Sequence, residues 1–198
     1  MSIQHIFLDM DGVVADFNIQ IARTLRPDLP ATEQYALAAR CDEWGGTWES
    51  VYGKSDDEVW EAVRAADPAL FWAYLDPMHR RYPGTPTVVE LYDWARTRAD
   101  SVTFLTALPV TDTGIVAVSK TDWLRRYLGA HFRDFILCAK FHKKLVATEH
   151  TLLIDDNHDN CGQFHAAGGN VIVYRPVALH VLDQAFDQIN SGVRRVEV

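Results

Sequence analysis

Acidic side chains stand at the ends of two apolar segments of this chain. Asp9 and Asp11 follow the run IQHIFL. Asp155 and Asp156 follow the run TLLI, and Thr106 closes a third apolar segment, SVTFLT. In an open α/β sheet the carboxyl ends of the strands meet at one edge, where ligands bind. Carboxylates gathered at such an edge repel one another unless a hard cation holds them, so the pattern predicts a divalent-cation site with Mg²⁺ as the first candidate.

The elements that must position these groups alternate along the chain. Apolar runs rich in β-forming residues predict strands at residues 3–8, 101–106, 135–138, 151–154 and 170–174. Apolar residues at helical spacing predict helices at residues 87–99, 116–128, 160–167 and 177–189. Strands that alternate with helices are typical of a parallel sheet covered on both faces, so we expect an α/β, Rossmann-like fold.

Residues 17–84 interrupt this alternation. They contain helix candidates at residues 17–26, 32–42, 56–66 and 68–74, no good strand, and four of the six tryptophans of the chain. We therefore predict two units. Residues 1–16 and 85–198 form the α/β core, and residues 17–84 form a small helical cap inserted after the first strand and packed over the carboxyl edge of the sheet.

The composition excludes several classes of protein. The 198 residues carry 19 basic against 27 acidic side chains, a net charge of −8, which lacks the basic footprint of a protein that binds duplex nucleic acid. No apolar run reaches the length of a membrane helix, and no signal-peptide pattern is present. The three cysteines show no CxxC spacing. These features favour a reducing compartment, so we expect a cytoplasmic protein.

The motif residues resemble those of a known superfamily. The segment FLDMDGV at 7–13 resembles the first motif of the haloacid-dehalogenase-like hydrolases, most of which are phosphatases. The segment LTA at 105–107 resembles their second motif, and LIDD at 153–156 resembles their fourth. Their third motif is a lysine upstream of the fourth. Lys140, Lys143 and Lys144 lie in that segment, with Lys143 favoured and Lys144 next.

A narrower resemblance is to the 5′(3′)-deoxyribonucleotidase family, which includes many bacterial and phage members. It rests on DMDGVVADF at 9–17, on Lys120 together with WL and YLG between 123 and 129, and on LLIDD at 152–156. The resemblance spans residues 3–175, and it is loose in the predicted cap.

This resemblance implies phosphoryl transfer to an aspartate. Asp9 is then the nucleophile that forms an aspartyl-phosphate. Asp11 is the general acid for the leaving alkoxide and then the general base for the attacking water. The Asp9 carboxylate, the backbone carbonyl of Asp11, and Asp155 and Asp156 would hold Mg²⁺.

The resemblance also implies how the phosphate is held. Thr106 and the backbone N–H of Ala107 would bind phosphate oxygens. Lys143 or Lys144 would balance the charge of the phosphoryl group, and Lys120 would be a second cation that faces it.

Aromatic residues of the predicted cap indicate a nucleotide substrate, because aromatic side chains stack on bases. Phe17 directly follows the first motif, and Trp48 lies in a segment similar to the base-stacking segment of the deoxyribonucleotidases. Thr47 stands where that family has an aromatic residue, and Trp44 could supply the missing ring. We expect the other large aromatic residues of the cap to pack its own core: Trp60, Phe71 and Trp72.

These interpretations combine into one expectation. The protein is a Mg²⁺-dependent phosphatase of nucleoside 5′-monophosphates, with deoxyribonucleotides first, that binds neither duplex nucleic acid nor membranes, and a homodimer is allowed. Three alternatives stay open: the same chemistry on a sugar or coenzyme phosphate, a phosphomutase, and a non-catalytic nucleotide-binding protein. The presence of both Asp9 and Asp11 counts against the last of these.

Overall fold

The computed structural model describes residues 2–43 and 46–198. Its strands are β1 (His5–Leu8), β2 (Ala15–Asp16), β3 (Asp76–Pro77), β4 (Ser101–Leu108), β5 (Phe135–Ala139), β6 (Thr151–Asp155), β7 (Asn170–Val173) and β8 (Arg195–Glu197). Its helices are α1 (Phe17–Leu25), α2 (Ala31–Asp42), α3 (Trp48–Tyr52), α4 (Asp56–Ala65), α5 (Pro68–Ala73), α6 (Val88–Arg96), α7 (Thr113–Leu128), α8 (His158–Ala166) and α9 (Leu179–Asn190). Two 3₁₀ helices span Met78–Arg80 and Lys140–Val146.

The main sheet has six parallel strands in the order β5-β4-β1-β6-β7-β8. Strand β1 is therefore flanked by β4 and β6, and Leu8 at its end lies opposite both Phe104 and Ile154. This register brings the carboxyl ends of three strands to one edge. Asp9 directly follows β1, and Asp155 is the last residue of β6.

Helices cover both faces of this sheet because successive side chains of a strand point to opposite faces. Ile6 and Leu8 belong to one buried apolar cluster, and Phe7 between them belongs to another. The second cluster includes Phe164 of α8. The α/β fold expected from the sequence is confirmed.

Helices α1 to α5 lie between two chain segments that pair with each other. The outgoing segment forms β2 and the returning segment forms β3, and these short strands are antiparallel with Ala15 opposite Pro77. Helix α4 begins at a capping box, in which Ser55 and Glu58 satisfy each other's backbone N–H groups. The boundaries of the predicted cap, residues 17–84, stay a prediction.

These helices also pack against the core. Trp123 of α7 is fully buried, and its indole N–H donates to the backbone oxygen of Leu75 at 2.8 Å. The bond ties the end of the helical segment to the sheet layer.

Among the described residues, no helix combines the length and apolar character needed to cross a bilayer.

Candidate active site

Three carboxylates converge where β1 and β6 end. Asp9, Asp155 and Asp156 each offer a ligand atom, and these atoms lie within 4.8 Å of one another. Asp9 and Asp155 are buried, and Asp156 is partly buried. The structure thus brings together three of the four predicted metal ligands through their side chains. The side chain of the fourth, Asp11, points to a different partner.

A tight turn after β1 makes room for this cluster. Gly12 has a φ of +74°, in the left-handed region that L side chains rarely adopt. A Cβ atom at this position would lie 2.1 Å from Oδ2 of Asp156. Glycine is therefore required twice, for the backbone conformation and for the close approach of the carboxylate.

One lysine balances part of the charge. Lys143 lies on the 3₁₀ helix that precedes β6 and is 1% exposed. Its Nζ atom lies 2.8 Å from Oδ1 of Asp9 and 2.7 Å from Oδ2 of Asp155. Lys144 and Lys140 are exposed. Of the lysines that fit the third motif, the structure brings Lys143 into the site and leaves Lys144 outside it.

Neighbouring amides fix the orientation of Asp155. The backbone N–H of Asn157 donates to its Oδ1 at 2.8 Å, and the side-chain amide of Asn160 donates to its Oδ2 at 3.1 Å. Sequence reasoning missed Asn160. The available signal was its position on the first turn of a helix that directly follows a site strand.

The cluster carries more negative than positive charge, since three carboxylates face one ammonium group. Burial raises the pKa of Asp156 well above its usual range, and the nearby charges of Asp155 and Asp9 raise it further. Burial also raises the pKa of Asp155, against the opposing effect of Lys143. A site with such an excess of hard oxygen donors suits a divalent cation.

A second buried lysine joins Asp11 to β4. The Nζ atom of Lys120 donates to Oδ2 of Asp11, to Oγ1 of Thr106 at 2.8 Å, and to the backbone oxygen of Ala107 at 2.7 Å. It also lies 4.6 Å above the ring of Trp72. The predicted phosphate-binding residues Thr106, Ala107 and Lys120 therefore lie together beside Asp11.

The other carboxylate oxygen of Asp11 has no partner of this kind in the part of the chain that the structure describes. Oδ1 of Asp11 is buried and has no hydrogen-bond partner among the described residues. Burial raises the pKa of this carboxyl, while the charge of Lys120 lowers it.

Phe17 lies at the centre of an aromatic cluster. Its ring centroid is 5.3 to 6.0 Å from those of four other rings: Trp48, Trp60, Phe71 and Trp72. Phe71 and Trp72 are buried, which confirms the core packing expected for them. Trp48 is only partly buried, and Trp44 lies outside the described residues. The two residues predicted to stack on a base, Phe17 and Trp48, are therefore neighbours.

A cleft of about 420 Å³ opens between the end of α2 and the loop after β7. Its lining residues are Ala39, Asp42, Glu43, Tyr82, Arg175 and Pro176. Arg175 donates to the backbone oxygen of Asp156 at 3.1 Å, which links the wall of the cleft to the backbone of one residue of the carboxylate cluster. Its volume is in the range of sites that bind small molecules.

Solved structures identify the class to which this architecture corresponds. The chain has the fold of the haloacid-dehalogenase-like hydrolases. It aligns with YfnB, a HAD-hydrolase from Bacillus subtilis that was solved bound to magnesium, with a TM-score of 0.53 and 16% identity, over 96% of this chain and 100% of that one. It aligns with a predicted phosphatase from Clostridium acetobutylicum with a TM-score of 0.54 and 12% identity, over 100% of this chain and 94% of that one.

A sequence relative indicates a narrower resemblance. The chain is 28% identical over 159 residues to the human mitochondrial 5′(3′)-deoxyribonucleotidase. The match covers 79% of this chain and 64% of the relative, so it spans less than two thirds of that protein's length. No family profile matches the chain.

Proposed function

We propose that this protein is a Mg²⁺-dependent phosphatase of nucleoside monophosphates, with deoxyribonucleoside 5′-monophosphates as the first candidates. The observation that carries the proposal is the arrangement at the ends of β1, β4 and β6. There a buried carboxylate, Asp9, lies 2.8 Å from a buried lysine, and a second pair, Asp11 with Lys120, lies beside Thr106.

The residues present fit a magnesium ion. Asp9, Asp155 and Asp156 supply hard oxygen donors within 4.8 Å of one another and carry more charge than Lys143 balances. They would hold the ion together with the backbone carbonyl of Asp11. When bound, Mg²⁺ would neutralise charge on the phosphoryl group and orient it for in-line attack.

Different residues of this chain would carry out the separate steps of the reaction. Two contacts on the Asp9 carboxylate fall on Oδ1, from the backbone N–H of Met10 at 2.8 Å and from Lys143 at 2.8 Å. We assign the attack on phosphorus to Oδ2. The new bond joins Asp9 to phosphorus, the bond from phosphorus to the nucleoside oxygen breaks, and Asp11 gives its proton to that oxygen.

The second half of the reaction restores Asp9. Asp11, now ionised, takes a proton from a water molecule as that water attacks phosphorus. The bond between phosphorus and Asp9 breaks, and inorganic phosphate leaves. Thr106 and the backbone N–H of Ala107 would hold the phosphate oxygens through both halves.

The nucleoside half of the substrate is supported by separate observations. The sequence relative is a deoxyribonucleotidase, Trp48 is only partly buried, and a lining residue of the cleft, Arg175, contacts the backbone of Asp156. One observation favours a second candidate, a phosphatase of a sugar or coenzyme phosphate. Phe17 is surrounded by four rings, as expected of a residue that only packs the interior.

Phosphate release tests both candidates. We would assay ribo- and deoxyribonucleoside 5′- and 3′-monophosphates and several sugar phosphates, each with Mg²⁺ and with EDTA. We expect release from a few nucleotides with Mg²⁺ and none with EDTA.

The Asp9→Asn variant is the control for the nucleophile, because the amide keeps the shape of the side chain but cannot form the aspartyl-phosphate. It should fold and release no phosphate. Turnover near that of the parent protein would contradict the assignment of Asp9. Release from sugar phosphates alone would favour the second candidate.

A further inference from the structure

A buried guanidinium lies on the chain segment that returns from the helices to the sheet. The side chain of Arg81 is 5% exposed. Its Nε and one terminal nitrogen contact both carboxylate oxygens of Asp16, at 2.5 and 2.7 Å. The same terminal nitrogen lies 2.5 Å from Oδ2 of Asp42, and the other donates to the hydroxyl of Tyr82 at 2.9 Å. A bidentate contact of this kind fixes the orientation of the carboxylate as well as its distance from the guanidinium.

These partners come from separate parts of the fold. Asp16 ends β2 on the outgoing segment, and its Oδ1 accepts from the backbone N–H of Ile19 to begin α1. Asp42 is the last residue of α2. Arg81 therefore connects three parts of the chain: the segment that leaves the sheet, the segment that returns to it, and the end of α2.

The contacts continue from Asp42 to the aromatic cluster. Oδ1 of Asp42 accepts from the side-chain amide of Asn18 at 2.7 Å, and the indole N–H of Trp48 points at the amide oxygen of Asn18 at 3.4 Å. Oδ2 of Asp42 also accepts from the hydroxyl of Tyr82 at 2.8 Å. Asp42 and Tyr82 line the same cleft as Arg175, which donates to the backbone oxygen of Asp156. One arginine thus orients two polar groups of the cleft wall and, through Asn18, the ring of Trp48.

We infer that Arg81 is a positioning residue for the nucleoside half of the substrate. It holds Asp42 and Tyr82 in place as hydrogen-bonding groups for a base amino group or a sugar hydroxyl. The phosphate half is held elsewhere, by the strand-end residues around Asp9 and Thr106. The inference rests on the proposed function, because it names the groups that recognise the nucleoside of that substrate.

The test compares two neighbouring arginines. Arg81→Lys keeps the positive charge but cannot form the bidentate contact with Asp16. Arg80→Lys is the matched control, since Arg80 is 62% exposed and pairs with Asp76 on the surface. For each variant we would measure KM and kcat on the best nucleotide of the panel and on p-nitrophenyl phosphate, which has no nucleoside, and follow thermal unfolding.

We expect Arg81→Lys to raise the KM for the nucleotide about tenfold, an effect of about 1.4 kcal/mol, with kcat within twofold. Both constants for p-nitrophenyl phosphate should stay within twofold of the parent. Arg80→Lys should match the parent on both substrates. An equal loss on both substrates would show that Arg81 only supports the fold, and an unchanged nucleotide KM would also overturn the inference.

A second variant covers the case in which Arg81→Lys does not fold. Asp42→Asn keeps the pair between Arg81 and Asp16 and the size of the side chain, and it should show the same tenfold rise in nucleotide KM. In an Asp9→Asn background, which removes turnover, the Kd of the nucleotide should rise by the same factor. If the parent protein hydrolyses p-nitrophenyl phosphate but no nucleotide, the proposed function fails before any variant is compared.

Discussion

At the residue scale, two adjacent lysines differ sharply in their surroundings. Lys143 is buried between Asp9 and Asp155, and Lys144 is exposed on the same short helix. We expect Lys143→Met to lower kcat for phosphate release at least 100-fold, because a group that stabilises transition-state charge is typically worth about 10²–10³ in rate. Lys144→Met should stay within twofold.

The measurement is steady-state phosphate release at saturating substrate with Mg²⁺, together with thermal unfolding of each variant. Unfolding matters because removal of Lys143 leaves buried carboxylates without their partner, which costs about 3–5 kcal/mol in comparable pairs. Equal activity of the two variants would contradict the assignment of Lys143.

The same pair shows what the sequence could predict at this scale. Asp9 and Asp155 lie at strand ends as predicted, because the apolar runs before them are clear, whereas β4 continues two residues beyond Thr106 to Leu108. The choice between Lys143 and Lys144 stayed open, because neither apolar periodicity nor spacing specifies which way a 3₁₀ turn points a side chain. The contact between Arg81 and Asp42 was missed, since the partners lie 39 positions apart in the sequence and no local pattern joins them.

At the element scale, the turn after β1 can be tested by comparing alanine substitutions at two glycines. Gly12 and Gly53 both have positive φ values, +74° and +65°. A Cβ atom at Gly53 would have nothing within 4 Å, whereas at Gly12 it would meet Asp156 at 2.1 Å. We expect Gly53→Ala to cost about 1–2 kcal/mol of unfolding free energy, from the left-handed backbone alone. Gly12→Ala should cost more and should also lower kcat on p-nitrophenyl phosphate at least tenfold, because it displaces a carboxylate of the site.

Urea unfolding and steady-state kinetics on both variants check this expectation. The two variants would show equal stability and equal activity if the turn after β1 did no more than reverse the chain. That result would contradict the close packing of Gly12 against Asp156.

Elements differ in how well the sequence specifies them. Five strands of the main sheet and four helices between β2 and β3 were predicted to within two residues at every end, whereas α6 ends and α7 begins three residues earlier than predicted. Strand β8 was missed because it has only three residues, two of them charged, and is recognisable only by its pairing with β7. Helix α3 was missed because five residues are too few to show an apolar period.

At the scale of the whole molecule, a cation held by the carboxylate cluster would raise the stability of the fold. Asp9, Asp155 and Asp156 lie close together in the folded protein and are separated in the unfolded chain. A cation that binds only the folded state at about 100 times its Kd adds about 2.7 kcal/mol to the unfolding free energy. For a chain of this length that corresponds to a rise in Tm of about 5–10 °C. We therefore expect such a rise when EDTA is replaced by saturating Mg²⁺.

We expect the Asp156→Asn substitution to change the Tm in opposite directions in EDTA and in Mg²⁺. In EDTA the variant should have a higher Tm than the parent protein, because one of three mutually repelling carboxylates has been made neutral. With Mg²⁺ it should lose most of the rise, because a ligand is gone. Asp159→Asn, which neutralises an exposed carboxylate three residues further on, should keep the parent's response. Differential scanning calorimetry of the three proteins in both buffers measures this. Two results would contradict this prediction: a parent protein whose Tm does not change with Mg²⁺, or an Asp156→Asn variant that is less stable than the parent in EDTA. Either would mean that the three carboxylates do not form a metal site in which they repel one another when no cation is bound.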